Sequence, residues 1–320
     1  MNRIVSIIIT GTLFVGVLSG CGNQKAISLV NTLVFDMGDF QSIRLDYDME
    51  DIRVVEGESG KVTLKEYMNV DKKSYYAKTA NLNGELFITE GKRPRRSGFE
   101  AYIELYIPPD YNGSLSLHST SGTVESQISL NLSGEICVDT TSGIINVSDI
   151  KAASVSVTTT SGTVDGKELI TPTLKIVSTN GNLSFARVES DLIQIETTNA
   201  NTTISNASGT VKYQSKGGRL TMADMKGSGS YNASGEGTIE VTFSDVTGDI
   251  SAYTKNGNIT VILPAVLDFK FSATTKEGSI KTSFDDQLLI TDYISAGSIG
   301  LSPEVSIGLE TRNGDISVSR

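Results

Sequence analysis

Side chains able to carry chemistry are few in this sequence. Its 320 residues include one His, two Cys and no Trp. A single His excludes a two-His relay and most His-based zinc sites; two Cys exclude a Cys₄ site and a disulfide framework. His118 follows Leu117 in a stretch of period two, so it points outward, with no nucleophile motif beside it. Cys137, between Ile136 and Val138, reads the same way, as an outward thiol with a Ser-like, passive role. Polysaccharide cleavage would need acids stacked on successive turns of a repeat, with calcium or a basic partner. Asp139, Asp149 and Asp165 stand at different phases of the repeat described below and do not stack, and Asp285-Asp286 reads as a solvated corner. No catalytic residue, metal site or cofactor is therefore expected.

The one side chain whose setting implies covalent chemistry is Cys21. Arg3 is followed by the apolar run Ile4 to Val17, too short for a comfortable transmembrane helix, and then by Leu18-Ser19-Gly20-Cys21. That ending looks like a bacterial lipobox. It implies diacylglyceryl transfer to Cys21 and cleavage between Gly20 and Cys21. Each buried methylene adds about 0.8 kcal/mol, so two or more acyl chains hold a protein on a bilayer. Residues 1–20 are thus expected to be a lipoprotein signal peptide and 21–32 a tether. Cleavage removes one base and no acid, taking the net charge from −10 to −11. Such a chain is repelled by anionic lipid and by nucleic acid, so the acyl chains must do the anchoring. The run Lys92-Arg93-Pro94-Arg95-Arg96 is the exception. It reads as a hairpin tip, and Lys92, Arg93, Arg95 and Arg96 are candidate contacts for an anionic lipid or wall polymer.

Positioning these residues falls to a repeat. A small polar residue, a Gly and an aliphatic residue two places on recur at Gly122, Gly143, Gly162, Gly181, Asn199-Ala200, Gly218, Gly237, Gly257, Gly278, Gly297 and Gly314. Successive members stand about 19 residues apart, with little scatter. Apolar residues sit at +2 and +4 from the Gly (Ile145/Val147, Leu183/Phe185) and at −7 and −5 (Ile136/Val138, Val155/Val157). Thr or Ser fills −3, and period two within short runs means strands with one face inward. The Gly is read as a corner residue with positive φ, Asn199 taking that position where Ala200 replaces it. One repeat unit cannot bury a core alone, whereas stacked coils can. The expected fold is all-β: a parallel β-solenoid over 111–320, right-handed by default, of about ten coils. Residues 33–110 lack the period but alternate, with Asn83-Gly84 as a hairpin turn, and read as a β-rich cap that ends at Pro108-Pro109. Net charge is −2 over positions 1–110 and −8 over positions 111–320. The last coil runs to Arg320 without a visible cap, an open end kept from pairing by charge or used for docking.

The stretch Leu105-Tyr106-Ile107-Pro108-Pro109, then Leu115-Ser116-Leu117-His118-Ser119-Thr120-Ser121-Gly122 and the Thr-Ser-Gly coils, resembles a family of bacterial β-strand-repeat proteins of unknown function, often labelled "putative adhesins". The resemblance implies a membrane- or surface-attached solenoid, in some members an accessory of envelope-stress sensing, and brings no catalytic residues. The expectation is a non-enzymatic lipoprotein on the extracytoplasmic face of the bacterial membrane. Its solenoid would be a rigid surface for an envelope protein partner. A surface adhesin for matrix or glycan is the alternative, and a polysaccharide-active β-helix enzyme a remote one.

Overall fold

The computed structural model describes residues 26–95, 98–291 and 293–320. The expected signal peptide 1–20, Cys21 and Arg96 lie outside them. The described chain is a stack of parallel β-coils, as the period requires. Strand Glu135–Thr140 pairs in parallel with Ser114–Ser119 on one side and Ser154–Thr159 on the other. Ile144–Lys151 pairs likewise with Thr163–Ile170. The register superposes equivalent residues, so Leu115, Ile136, Val155, Leu174, Ile193 and Val211 form one inward column.

The corner explains the signature residues. A Cβ at Gly143 would overlap the carbonyl oxygen of Gly122, one at Gly162 that of Gly143, and one at Gly257 that of Gly237. None of these glycines has positive φ; in this column only Gly181 and Gly218 do. The expected reason was therefore wrong for most coils: the corner needs Gly for close approach between coils, not for a left-handed backbone. Nor does Asn199 take a strained conformation; Ala200 sits fully buried in the glycine column. The residue at −3 completes the corner. Thr140 Oγ1 accepts the Gly143 N–H at 2.8 Å, and Thr159 Oγ1 accepts that of Gly162 at 2.9 Å. Thr254 and Thr311 donate to the carbonyls of Gly237 and Gly257, 2.8 and 3.1 Å away on the neighbouring coil.

A second corner was not expected. Asp149, Glu168, Arg187, Asn206 and Asp224, each six residues past the Gly position, all have φ between 53° and 58°. This left-handed residue flips the alternation, so Ile150, Leu169 and Val188 return to the core one residue later.

Both ends depart from a simple winding. Ser42–Tyr47 and Asp51–Glu56, assigned from sequence to the cap, form a true coil that pairs in parallel with Ser114–Ser119 and Val124–Ser126. On its other side lie Glu85–Thr89 and Ala101–Ile107, also parallel. Antiparallel strands then close the end: Lys61–Met68 on Ala101–Ile107, Ser28–Asp36 on Lys61–Met68, and Lys78–Leu82 on Glu85–Thr89 through the expected Asn83-Gly84 turn. The tether expectation of 21–32 is corrected accordingly, since strand Ser28–Asp36 begins inside it.

The C-terminal end repeats the device. Val305–Asn313 inserts in parallel between the coil ending at Asn256 and the strand Phe269–Glu277. Ile316–Ser319 likewise lies between Ile259–Ile262 and Ile280–Thr282. Beyond them Ile294–Ile299 and Leu288–Ile290 add as antiparallel strands. The last coil is thus interior, not open, and Gly297 is a residue of an antiparallel strand, not a turn. Phe284 meets Phe269 edge-on at 5.4 Å, and the Arg320 guanidinium lies 4.8 Å from the Phe284 ring centre.

Two substitutions separate close approach from mere smallness. Gly143→Val should destabilise by about 2–4 kcal/mol, because the Gly122 carbonyl has nowhere to go. Gly308→Ala, where a Cβ would meet nothing within 4 Å, should stay within about 0.5 kcal/mol of the parent. Thermal unfolding of the two variants checks this.

Candidate functional site

A grouping of charged side chains, Asp48, Glu50, Asp51, Arg53, Glu90, Arg93 and Arg95 among them, surrounds a cleft of about 470 Å³ in the N-terminal closure. It lies between the corner of the first coil, residues 48–51, and the loop that carries the basic run. Its core is ionic. Strand Lys61–Met68 turns Val62, Leu64 and Met68 inward, and the same alternation sends the Glu66 carboxylate inward with them, fully buried. Such a charge needs partners. Asn31 Nδ2 donates to it at 2.6 Å and the Ala77 N–H at 2.8 Å, and Arg93 pairs with its other oxygen. Arg93, its side chain 3% exposed, also places Nη1 2.8 Å from Glu50 Oε1 as an ion pair and donates through Nε to the Tyr75 carbonyl. The Tyr47 ring lies 5.0 Å from its guanidinium, and the buried Tyr47 hydroxyl has no hydrogen-bond partner among the described residues.

The cluster holds more acid than base, and the titrations follow. Burial raises Glu66 despite its three donors. Burial, with the charge of Glu50 behind it, pushes Glu90 up to about 7 against the pull of the Asp48 N–H, 3.1 Å from its Oε2. One arginine thus ties together the first corner, the Lys61–Met68 strand and the 89–101 loop, while Asn31 adds the first strand.

The basic run is corrected by this geometry. Arg93 is no surface contact; it is consumed by Glu50 and Glu66. Arg95 is 77% exposed but paired with Asp48 at 2.6 Å. Lys92 faces solvent. Sequence reasoning missed Glu50 and Glu66; the inward parity of Glu66 was the available signal.

The remaining candidates fall on the solenoid sides. His118 does point outward, but the register sets it between two acids of adjacent coils, with Nδ1 3.4 Å from Asp139 and Nε2 3.9 Å from Asp46. Cys137 stands between Ser116 and Ser156, and burial pushes its thiol up, away from the reactive thiolate. Asp149 does not stack on Asp139 or Asp165. It joins Glu168 and Arg187 at the second corner, where Arg187 Nε donates to Glu168 at 2.9 Å. Asp285 and Asp286 open a 3₁₀ turn, Asp285–Gln287.

The Toastrack DUF4097 family profile matches residues 40–319. No curated protein matches. Among solved structures, a "putative adhesin" from Parabacteroides merdae is 13% identical, with a TM-score of 0.37, covering 93% of this chain and 97% of that one. A "putative adhesin" from Bacteroides fragilis is 16% identical, TM-score 0.34, with 93% and 100% covered. A "putative cell adhesion protein" from Clostridium sporogenes is 10% identical, TM-score 0.24, with 92% and 99% covered.

Two outcomes test the ionic cluster. Arg93→Met should destabilise the N-terminal closure by about 3–5 kcal/mol, since Glu50 and Glu66 would stay buried without a cation. Between 4.5 and about 7 folded Glu90 binds more proton than unfolded Glu90. Its stabilising contribution is therefore full below 4.5 and lost as pH rises through about 7. Unfolding midpoints of parent and Glu90→Gln across pH 4–8 should differ by this trend, with the flatter curve for the variant.

Proposed function

Because the chain belongs to the Toastrack DUF4097 family, we propose that it is a non-enzymatic, lipid-anchored protein of the bacterial envelope. Acylated Cys21 holds it at the extracytoplasmic face of the membrane, and the solenoid is a rigid protein-interaction surface. The finer role proposed is that of an accessory to envelope sensing, with a membrane protein as partner.

The observation that carries this reading is the closure at both ends. Antiparallel strands cover the outermost coils, so the free surface consists of the long sides of the ladder. On those sides the outward residues of successive coils stand in fixed columns, such as Asp46, His118 and Asp139. Side chains at set spacings on a stiff frame are what a protein contact needs, because little ordering entropy is lost on binding. The anchor enters at the N-terminal closure, where positions 1–110 carry a net −2, while the coils, at −8, extend from it. That gradient supports seating by the N-terminal end rather than by the acidic coils.

In-cell crosslinking of the lipidated protein, with Cys21→Ser as control, tests the reading. One specific membrane protein should be captured, and lost in the control. Recovery of wall polymer or glycan alone, unchanged by the substitution, would replace it with the adhesin reading.

A further inference from the structure

We infer that the outer face of the N-terminal closure is a lipid-interface face, seated at headgroup level in the bilayer that holds the anchor. The inference rests on the Cys21 reading above and adds to it which part of the folded protein touches the membrane.

Four strands build this face. Leu29 stands opposite Tyr67, and Tyr67 opposite Tyr102; Val34 stands opposite Thr63, and Thr63 opposite Tyr106. Directly paired residues of antiparallel strands share a face, so Leu29, Val34 and the three tyrosines come together although they lie far apart in sequence. Leu29 and Val34 are 48% and 47% exposed, and Ile27 beside them is 38% exposed. The rings are held in place. Tyr67 and Tyr102 stack in parallel with centroids 4.5 Å apart, Arg53 lies 4.5 Å from the Tyr102 centroid, and Lys65 Nζ lies 4.1 Å from that of Tyr106.

Rings with a polar tip, long-stemmed cations and aliphatic side chains on one surface match the chemistry of the bilayer interface. Arg53 and Lys65 are offset by Glu104 and by Glu125, which is 3.3 Å from Arg53. The face is therefore close to neutral, and its seating depends on burial of rings and aliphatics rather than on anionic lipid. Reach supports the same occupant. The short stretch from Cys21 to Ser28 spans at most about 20–25 Å, so acyl chains in the bilayer leave this end of the stack beside the headgroups.

The chain has no Trp, so an introduced one reports alone. The full lipidated protein carrying Leu29→Trp would be reconstituted into phosphatidylcholine vesicles with brominated acyl chains. Leu301→Trp, at the opposite end of the stack and fully exposed, serves as the reference. The expected result is blue-shifted emission and roughly twofold quenching at position 29, with neither at 301. Val34→Trp should behave as position 29 does. If the variants float with the vesicles but position 29 emits like position 301, the face is not at the interface and the anchor reading stands. If the unsubstituted lipidated chain does not float, the anchor reading fails and this one with it.

Discussion

The contact on which the whole stack depends is the approach of one coil's corner carbonyl to the next coil's glycine. Parallel strands hydrogen-bond only when successive coils keep the strand spacing, and the corner is where the chain has least room to keep it. A carbonyl enters the space that a Cβ would fill, and a Thr or Ser hydroxyl three residues earlier satisfies the local N–H. Once these two positions are set, the rest of a coil needs only inward aliphatics of suitable volume. This accounts for a rigid Thr-Ser-Gly signature beside freely varying outward residues. The first coil shows the same contact in another form: Glu50 lies in the glycine column, and its carbonyl accepts the Ser119 hydroxyl at 2.9 Å.

The two closures solve one problem by different chemistry. A coil at the end of a stack exposes its core and an unpaired edge. At the C-terminal end the core is plugged by Phe269, Phe271 and Phe284, with Arg320 over the outermost ring. At the N-terminal end the plug is ionic, with Arg93 between Glu50 and Glu66. The aromatic plug is indifferent to pH, whereas the ionic one carries acids, Glu66 and Glu90, displaced toward neutrality by burial. The two ends thus differ in their response to conditions, although their strand topology is alike.

What could be read from sequence was what repeats locally. The glycine positions, the −7, −5, +2 and +4 aliphatics and the Asn83-Gly84 hairpin each follow from spacing and turn chemistry within a short window. The left-handed residue at the second corner was hidden because Asp149, Glu168, Arg187, Asn206 and Asp224 share a conformation and no side-chain type. The order of the end coils was hidden for a different reason. Val305–Asn313 matches either neighbour equally well by pattern, and its insertion beside Ile250–Asn256 joins segments remote in sequence. Arg93 looked like its neighbours in the basic run; only the buried carboxylates of Glu50 and Glu66 distinguish it. Pattern specifies which residues face inward, and the pairing of distant strands decides what they meet.

The inserted end coils also govern how such a molecule can change over evolutionary time. The first and last coils along the chain lie second from the ends in space, each locked under a parallel coil made from sequence nearer the middle. A repeat added after Ile316–Ser319 would follow a coil whose two edges are already paired, and losing that coil would open a gap inside the stack. Whole coils can be duplicated or deleted without disturbing either closure in the plain parallel section between them. A protein built this way lengthens from its middle, and its distance of reach can be tuned without remaking either end.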